Sequence, residues 1–548
     1  MAPVLELAGE RFRAEGVWRD RTLADDMRDA VSRFPSRTAV VCRYGDGRPP
    51  ERLTYAELAA VVERLAAGLV GLGVRRGDVV TLQLPNSWQL VALILACARA
   101  GAVAGPVATI MRRREVEYMT GLTGSPLYIG QAELKGFSFA RMSAEVAETV
   151  PTLRRRVLLG GAAAGDDAAL DFDRDLLERP WERELTPGAL DALEARPDDI
   201  AQIMFTSGTT GEPKGVVHTH NTLRATNQSQ IDVLGLTSDE VTAMGSPTTL
   251  QAGYTWNFIM PLLLGATAVQ VDAWDRERML DIIEEERVTF FMGAPPFLMD
   301  LIRAQSEAPR DLSSLRIFAT GSAPIPPVLV EQSRDVLGCR LYALWGMTEN
   351  GCVTVTRPED PPMRAAESDG TPVPGMEVRI VDGETGEPVA PGATGNLQVR
   401  GANQCLGYYR RPELYAESLT ADGWFDTGDL ARDDGYGGIR IAGRVKDVIS
   451  RGGVKIPVVE VEAALLRHPA VKDVAVVGYA DDRLGERACA VIVPGATPPT
   501  MEDLKAHLDE LDMAKQYWPE RILLVDSLPR TPSGKVQKFV LRERLDAE

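Results

Sequence analysis

Residues 204–215 read Met-Phe-Thr-Ser-Gly-Thr-Thr-Gly-Glu-Pro-Lys-Gly, and they continue an apolar run, residues 200–205, that is typical of a strand. Glycines let the backbone take positive φ and approach a ligand closely. Hydroxyls and free N–H groups donate hydrogen bonds, and a lysine adds a mobile positive charge, so the combination suits a triphosphate. The spacing is not that of the Walker loop, because no lysine directly follows a glycine at the required distance. On composition alone, a flexible polar turn after a strand is an equal alternative. The candidate phosphate-binding residues of this loop are Thr206, Ser207, Gly208, Thr209, Thr210, Gly211 and Lys214.

The composition limits the class of protein. The chain has 548 residues, which predicts two or more domains. Its formal charge is −18, from 60 Lys and Arg against 78 Asp and Glu, and this argues against nucleic acid as a partner. The six cysteines form no Cys-x-x-Cys pair and only four histidines are present, so we expect no structural zinc and a reducing compartment. With no signal sequence and no apolar stretch of ~20 residues, a cytoplasmic monomer or homodimer without a membrane partner is expected.

The order of elements predicts an α/β fold. Thr54-Tyr55-Ala56-Glu57 has the pattern of a capping box before a helix. Helix and strand patterns then alternate, which predicts mostly parallel sheets covered by helices. Near residue 370 the pattern changes to antiparallel β, a small barrel or sheet that closes the large domain. We therefore predict a large domain over 1–442, with its β-rich subregion at about 370–442, and a small mobile α+β domain over 443–548.

Five later motifs complete a series that begins with the 204–215 loop. They are Thr320-Gly321-Ser322-Ala323-Pro324, Leu344-Trp345-Gly346-Met347-Thr348-Glu349, Trp424-Phe425-Asp426-Thr427-Gly428-Asp429, Gly443-Arg444-Val445-Lys446-Asp447 and Thr531-Pro532-Ser533-Gly534-Lys535-Val536-Gln537-Lys538. In this order they resemble the signature motifs of the adenylate-forming enzymes, a superfamily of acyl- and aryl-CoA synthetases, peptide-synthetase adenylation domains and luciferases. The resemblance covers nearly the whole chain beyond Leu53, and it is closest to medium-chain, alicyclic or aryl acid–CoA ligases.

The resemblance implies roles for the motifs of the large domain. The 204–215 loop with Lys214 would hold the ATP phosphates, and residues 321–324 would form a wall of the adenine and acyl pocket. Trp345, next to Gly346, would stack on adenine. Thr348 would bond the α-phosphate, and Glu349 would hold Mg²⁺, an ion that takes one or two carboxylates plus phosphate oxygens and water. The cofactor-binding residues so implied include Gly321, Ser322, Ala323, Pro324, Trp345 and Gly346.

The motifs nearer the C-terminus receive roles in the same way. Asp429 would accept hydrogen bonds from the ribose hydroxyls, a task that suits an acceptor-only carboxylate. Arg444 would contact ribose or phosphate, and Lys446 would be the hinge on which the small domain turns. Lys535 would reach into the large domain during the first half-reaction, with Lys538 as the alternative. After the turn of the small domain, a face near residues 452–453 would admit a thiol.

The acyl pocket departs from the pattern of the relatives. Many acyl- and aryl-CoA ligases have a histidine in the segment that corresponds to 246–253, and here Leu250 or Thr249 takes its place. The 107–114 segment also lacks the proline that follows Val107 in ligases of medium-chain and alicyclic acids. A mostly apolar lining favours an aromatic, alicyclic or medium-chain acid over an amino acid, whose ammonium would need a buried carboxylate. The candidate pocket residues are Leu250, Tyr254, Gly321, Trp345 and Met347.

The implied reaction is the activation of a small carboxylic acid by ATP and Mg²⁺, followed by transfer to the thiol of coenzyme A. The carboxylate is ionised at neutral pH, so no general base is needed, and charge at the α-phosphate must be met by cations and donors. An alternative passes the activated acid, or an unusual small oxyanion, to an amine or a carrier protein. A second alternative is a non-catalytic nucleotide-binding regulator. Release of pyrophosphate that depends on an acid would distinguish an enzyme from the regulator. Turnover that depends on coenzyme A would distinguish this acceptor from an amine or a carrier protein.

Overall fold

The structure is a computed structural model that describes residues 9–161, 169–206, 213–323, 325–451, 454–481, 483–531 and 534–546. Its architecture is α/β, with helices packed on large mixed sheets, and this confirms the predicted fold class. All six cysteines are buried free thiols.

The apolar run before the glycine-rich loop is a strand, Ile200–Thr206. It pairs with Lys214–Thr219 as an antiparallel hairpin, and it runs parallel to Val103–Pro106 on its other side. Further parallel strands extend the sheet in that direction. In spatial order the strands of this eight-stranded sheet are Gly407–Tyr408, Lys214–Thr219, Ile200–Thr206, Val103–Pro106, Val79–Gln83, Leu127–Gln131, Arg155–Leu159 and Ala169–Asp171.

A second sheet of nine strands carries two of the later motifs at its strand ends. The strand Ile317–Thr320 ends directly before Gly321, and Arg340–Met347 ends within the Trp-Gly-Met-Thr-Glu motif. These two strands are parallel neighbours, so their carboxyl ends lie at the same edge. In spatial order the strands are Thr371–Pro372, Gly351–Val355, Arg340–Met347, Ile317–Thr320, Phe290–Met292, Val241–Met244, Thr267–Val271, Thr38–Arg43 and Glu51–Thr54.

Helices cover both large sheets. The predicted capping box is confirmed, because the Thr54 hydroxyl accepts the Glu57 N–H while the Glu57 carboxylate accepts the Thr54 N–H. The helices packed on the sheets or close to them are Leu23–Arg33, Tyr55–Gly71, Trp88–Arg99, Arg113–Thr123, Phe139–Thr149, Ala189–Leu193, His220–Leu234, Gln251–Tyr254, Met260–Leu264, Arg276–Glu285, Pro295–Glu307, Pro327–Asp335, Arg364–Glu367 and Pro412–Ala416.

Two glycines of the helix Tyr55–Gly71 serve packing. A Cβ atom on Gly71 would lie 2.3 Å from the ring of Trp181, and one on Gly68 would lie 3.1 Å from the same indole. The helix therefore receives the ring of Trp181, a residue of the acidic segment 163–197. In its described part this segment is fixed to the core by that contact.

The β-rich subregion is an antiparallel sheet, as the alternating pattern predicted. Its strands are Met376–Val381, Gly395–Gly401, Phe425–Asp433 and Ile439–Arg444. In the part of the chain that the structure describes, the pairing is that of an open four-stranded sheet, and no closed barrel is found there.

The chain after Arg444 builds a sheet and core of its own. Strands Val471–Asp481 and Gly485–Pro494 form a long antiparallel pair, and Arg521–Leu524 joins the second of them in parallel. Two hydrophobic clusters, around Leu465 and around Val477, consist wholly of residues from 449 onward. We call this part the C-terminal lobe and the rest the N-terminal lobe. The lobe's other strands and its helices are Ile449–Arg451, Val454–Ile456, Val458–Leu465, Met501–Glu510 and Lys538–Asp546.

Candidate active site

The glycine-rich loop connects two strands of a hairpin. Thr206 and Lys214 are register partners, and the Thr206 hydroxyl lies 3.5 Å from the Lys214 carbonyl oxygen. The two ends of the loop are thus held side by side at the strand ends. The predicted ligands Ser207, Gly208, Thr209, Thr210 and Gly211 lie outside the described residues, as do Pro324 and the turn at 452–453.

Lys214 and Glu349 are connected through a tyrosine that the sequence analysis missed. The Tyr408 hydroxyl donates a 2.9 Å hydrogen bond to Glu349 Oε1, and the Lys214 ammonium lies 4.7 Å from the centroid of the Tyr408 ring. Burial and the Glu349 carboxylate raise the pKa of Tyr408 well above its usual range, so the phenol keeps its proton and donates. Glu349 is buried, and its own carbonyl accepts the N–H of Cys405 at 2.7 Å.

A second residue that the sequence analysis missed, His218, holds the motif around Thr348. Its Nε2 lies 2.7 Å from the Thr348 carbonyl oxygen, and its Nδ1 lies 3.0 Å from the Thr222 hydroxyl. A carbonyl only accepts, so Nε2 carries the proton. Complete burial lowers the pKa of His218 to about 4, and the imidazole is therefore neutral at physiological pH. His218 thus fixes the backbone beside the two residues predicted to meet phosphate and metal.

Trp345, Asp429 and Arg444 form one cluster. Asp429 Oδ2 accepts a 3.0 Å hydrogen bond from the Trp345 indole, and Oδ1 accepts one from Arg444 Nε at 2.8 Å. Asp429 and Arg444 are cross-strand register partners, which places their side chains next to each other. The Asp429 N–H is in turn bound by the Thr427 hydroxyl. The residues predicted for adenine and ribose therefore lie together and are positioned by their neighbours.

The glycines of two motifs allow close approach of the backbone. A Cβ atom on Gly321 would lie 2.4 Å from the Leu344 carbonyl oxygen, and one on Gly346 would lie 2.1 Å from the Gly351 carbonyl oxygen. Any side chain would therefore separate the strand ends. The next residue after Gly321, Ser322, is exposed and has a φ of 73°, a conformation that is uncommon outside glycine and is found at functional sites. Ala323 beside it is also exposed.

The loop that carries Lys535 comes from the C-terminal lobe and reaches the N-terminal lobe. Its ends are held by the Thr531 N–H to the Lys535 carbonyl at 2.8 Å and by Arg530 to the Gly534 carbonyl at 2.6 Å. A Cβ atom on Gly534 would lie 3.6 Å from Cβ of Ala294, which precedes the helix Pro295–Glu307. The loop therefore rests against the N-terminal lobe.

Charged residues of the N-terminal lobe act on the ammonium of Lys535. The residue is exposed to solvent, yet the surrounding protein lowers its pKa, first by desolvation and then by the nearby Arg444, while Asp429 and Glu349 act in the opposite direction. Arg444 and Asp429 belong to the cluster that contains Trp345, so the charges that act on the Lys535 ammonium include those of that cluster.

The other predicted lysines lie elsewhere. Lys446 is exposed in the short helical turn Val445–Asp447 at the junction of the lobes, where Arg542 of the C-terminal lobe pairs with Asp447 at 2.9 Å. Lys538, the alternative to Lys535, forms a 2.7 Å ion pair with Glu462 inside the C-terminal lobe. Its ammonium is therefore engaged away from the cluster.

The predicted pocket residues fall in two places. Leu250 and Met347 are half-buried, and Met347 packs in the cluster that contains Trp345. Tyr254 is fully buried in a different cluster, where its ring meets Phe258 edge-on at 5.1 Å. The structure thus brings Met347, Trp345 and Gly321 together at one edge and places Tyr254 in the core behind it.

The described residues contain neither a cluster of metal ligands nor a helix that could span a membrane. Within the described ranges, no three His, Cys, Asp or Glu side chains lie close enough to hold a metal ion together. A Mg²⁺ ion bound with nucleotide needs only one or two protein carboxylates, so Glu349 suits that role without such a cluster. No helix in the described residues has the length and apolar character needed to cross a membrane.

Comparison with known proteins identifies the family. Residues 27–409 match the family model of the AMP-binding enzymes, and residues 460–535 match the model of the AMP-binding enzyme C-terminal domain. The chain is 33% identical to the medium-chain fatty-acid–CoA ligase of Escherichia coli (strain K12), over 97% of this chain and 92% of that one. It is 34% identical to a salicylyl-CoA synthase / salicylate adenylyltransferase of a Streptomyces species, over 98% and 96% of the two chains.

A solved structure agrees with these matches. The crystal structure of the anthranilate CoA ligase AuaEII in complex with anthranoyl-AMP has a TM-score of 0.85, with 28% identity over 96% of this chain and 98% of that one. The chain therefore belongs to the AMP-binding enzyme family, the adenylate-forming ligases, as the sequence motifs indicated. Its relatives are named as acid–CoA ligases and as enzymes that adenylate aryl acids.

Proposed function

We propose that the protein is an acid–CoA ligase that uses ATP and Mg²⁺ and forms an acyl-adenylate first. The observation that carries this proposal is that the loop of Lys535, which belongs to the C-terminal lobe, rests against Ala294 of the N-terminal lobe. The charges of Glu349, Asp429 and Arg444 act on the Lys535 ammonium from that lobe. A protein that only binds a nucleotide has no need of a cation delivered from a second lobe, so this geometry disfavours the regulator.

In the first half-reaction, an acid carboxylate attacks the α-phosphorus of ATP and pyrophosphate leaves. Charge develops on the α-phosphate oxygens, and prepositioned cations and donors lower the barrier. Lys535 and Thr348 would meet that charge, and Lys214 would bind the departing phosphates together with the 206–211 loop. Trp345 would stack on adenine next to the wall at 321–324, and Asp429 with Arg444 would hold the ribose.

Glu349 would hold Mg²⁺ with the nucleotide phosphates, and the ion would neutralise phosphate charge when bound. Its carboxylate is oriented by the Tyr408 hydroxyl at Oε1. That single bond leaves further acceptor positions on the carboxylate, since each oxygen has two lone pairs.

The second half-reaction would need a different arrangement of the two lobes. We propose a domain boundary near residue 443, at the end of the strand Ile439–Arg444, and a pivot at Lys446 in the turn that follows this strand. A turn there would withdraw Lys535 and open a path for the thiol of coenzyme A. The relatives named as CoA ligases support this acceptor.

An acceptor other than free coenzyme A is the second candidate. The Streptomyces relative is named both as a CoA synthase and as an adenylyltransferase, so the same architecture is associated with both outcomes. An amine or a carrier-protein thiol would enter by the same path after the same first step. Pocket residues around Met347 are compatible with aromatic, alicyclic or medium-chain acids.

The test is pyrophosphate release with a panel of acids, measured with and without coenzyme A. We expect acid-dependent pyrophosphate, multiple turnovers only when coenzyme A is present, and an acyl-CoA product by mass spectrometry. Turnover that depends on an amine or a carrier protein would select the second candidate. Nucleotide binding without acid-dependent pyrophosphate from any acid would contradict adenylation itself.

A further inference from the structure

The loop of Lys535 is closed by hydrogen bonds between its two sides. The Thr531 N–H donates to the Lys535 carbonyl at 2.8 Å, and the Lys535 N–H donates to the Thr531 hydroxyl at 3.1 Å. The residues just outside this pair, Arg530 and Val536, form an antiparallel bridge. The backbone of Lys535 is therefore fixed to the opposite side of its own loop.

Apolar packing fixes the base of this loop to the C-terminal lobe. Leu528 is buried and Val536 is half-buried, and both pack in the hydrophobic cluster around Val477. Gly534 and Lys535 add no apolar side chain to that cluster. Packing alone therefore does not hold the part of the loop that carries the ammonium.

The guanidinium of Arg530 supplies the missing restraint. Its Nη1 donates to the Gly534 carbonyl at 2.6 Å, and its Nη2 donates to Asp473 Oδ2 at 2.6 Å. Asp473 lies on the strand Val471–Asp481, two residues before Ala475, and side chains two residues apart on a strand share a face. One planar side chain thus connects the carbonyl next to Lys535 with the central sheet of the C-terminal lobe.

This ion pair is too exposed to matter much for stability. The side chains of Arg530 and Asp473 are 27% and 31% exposed, and ion pairs near the surface contribute little to the free energy of unfolding. Position has a larger effect on rate, because a displacement of about 1 Å can slow a reaction by ~10²-fold. The connection is therefore more important for where Lys535 stands than for whether the lobe folds.

We propose that Arg530 and Asp473 are positioning residues, which hold the loop so that the Lys535 ammonium meets the charge at the α-phosphate. This inference rests on the proposed function. A guanidinium suits the task because its donors form a rigid fork, so that it bonds the loop and the strand at the same time. Both bonds lie within the C-terminal lobe, so a rotation of that lobe leaves them intact. The pair therefore serves the first half-reaction, in which Lys535 acts, and has no part in the second.

Asp473→Asn in the full-length protein is the first test. Asparagine keeps the size of the side chain and removes the charge that pairs with the guanidinium. With the best acid of the panel, we expect kcat for pyrophosphate release to fall by ~10-fold, while KM for ATP changes little. Thiolysis of the acyl-adenylate of the same acid by coenzyme A should be retained, and Tm should be nearly unchanged.

Two further variants show whether the effect passes through Lys535. Arg530→Lys keeps the positive charge but loses the fork, so we expect the same selective loss of adenylation. In the Lys535→Ala background, Asp473→Asn should cause no additional loss, because the group that it positions is absent. A merely structural role of the pair would lower the residual rate in that background too.

Asp481→Asn is the matched control. Asp481 ends the same strand as Asp473 and pairs with Arg487 Nε at 2.6 Å, across the hairpin that these strands form. The substitution therefore removes a similar ion pair from the same sheet without touching the loop. We expect both half-reactions to be unchanged in this variant.

Backbone hydrogen exchange measures the loop without any reaction. The Lys535 N–H should exchange faster in Asp473→Asn than in the unchanged protein, and at the same rate in Asp481→Asn. Unchanged exchange in Asp473→Asn, or equal loss of both half-reactions, would overturn the inference and leave adenylation standing. Absence of pyrophosphate with every acid would overturn adenylation, and the inference with it. Faster exchange together with a loss confined to adenylation supports both.

Discussion

The indole of Trp345 donates a 3.0 Å hydrogen bond to Oδ2 of Asp429, a residue 84 positions further along the chain. The other oxygen of the same carboxylate accepts from Arg444 at 2.8 Å. Each carboxylate oxygen has two lone pairs, so acceptor positions are left for two ribose hydroxyls. Trp345, the ring proposed to stack on adenine, and Asp429, the acceptor proposed for ribose, are therefore directly hydrogen-bonded to each other.

Trp345→Phe tests that connection. Phenylalanine keeps a flat aromatic face but removes the N–H donor, and a hydrogen bond to a charged group contributes about 1.5–3 kcal/mol. We expect KM for ATP to rise by about 10-fold or more in pyrophosphate release, with a smaller change in kcat. The control is Trp88→Phe, which removes an indole hydrogen bond to Glu51 at the edge of the nine-stranded sheet. An unchanged KM in Trp345→Phe, or an equal rise in the control, would contradict the prediction.

Tyr408→Phe tests the orientation of Glu349. Loss of the hydroxyl leaves Glu349 Oε1 without its 2.9 Å donor, so the carboxylate is less well placed for the metal. We expect the Mg²⁺ concentration for half-maximal adenylation to rise by several-fold to about 10-fold, as for loss of one bond to a charged group.

Tyr415→Phe is the matched control for that variant. The Tyr415 ring contacts Tyr408 edge-on at 5.6 Å, but its hydroxyl donates to the Cys405 carbonyl and not to Glu349. This control should lower stability with little effect on Mg²⁺ dependence. If both variants change the Mg²⁺ dependence equally, the effect is one of packing and the role given to Tyr408 is wrong.

Lys535→Ala separates the two half-reactions. Removal of a donor to transition-state charge costs about 10²–10³ in rate, so acyl-adenylate formation should be lost on that scale. Thiolysis of supplied acyl-adenylate by coenzyme A should be largely retained. Lys538→Ala, which breaks the pair with Glu462 at 2.7 Å, should retain adenylation and lose stability. Equal loss of both half-reactions in Lys535→Ala would refute the assignment.

The same lysine predicts an alkaline limit for adenylation. Desolvation and Arg444 lower the pKa of Lys535 below its ordinary value of 10.5, so the ammonium loses its charge at a lower pH than a free lysine does. We expect the pyrophosphate rate to fall on the alkaline side before pH 10.5 is reached. In Lys535→Arg the residual rate should not fall in that range, because a guanidinium stays charged. An identical alkaline limb in both proteins would exclude Lys535 as its source.

Two buried histidines predict a loss of stability in acid. Burial lowers the pKa of His218 and of His220 from 6.5 to about 4, so the unfolded chain binds more protons between these values. The contribution of these neutral histidines to the free energy of unfolding is therefore fully present above pH 6.5, and it is lost as the pH falls to about 4. At 1.36 kcal/mol per pKa unit, each histidine should contribute a loss of about 3 kcal/mol.

His218→Gln isolates one of the two contributions. Glutamine does not titrate, and it retains an N–H that can donate to the Thr348 carbonyl. The free energy of unfolding, measured by urea denaturation from pH 7 to pH 4, should fall by about 3 kcal/mol less than in the unchanged protein. Parallel pH profiles for the two proteins would show that His218 is not buried in the neutral form.

Local patterns predicted much of the fold. The capping box at Thr54 uses groups only three residues apart, and the strand before the glycine-rich loop is a continuous apolar run, so both were visible in the sequence. The alternation of helix and strand likewise gave the parallel sheets. The packing of Trp181 onto Gly68 and Gly71 was not visible, because the helix pattern does not show which distant side chain meets those glycines.

The motifs of the candidate site were visible in the sequence, and the contacts that join those motifs were not. Tyr408 lies on a two-residue strand with no pattern of its own, and it reaches Glu349 only through the register of that edge strand. His218 looks like any buried strand residue until the Thr348 carbonyl is placed beside it. The bond between Trp345 and Asp429 joins two sheets, and no spacing within one motif encodes it.

Arg444 ends the strand Ile439–Arg444 and also precedes the short helical turn Val445–Asp447. Its side chain forms the ion pair with Asp429, and its backbone is directly followed by the turn that contains the proposed pivot, Lys446. A rotation of the C-terminal lobe would therefore move Arg444 relative to Asp429 in the proposed ribose site. The affinity for the product AMP would then depend on the angle between the lobes. The inhibition constant of AMP would therefore report the orientation of the lobes in solution.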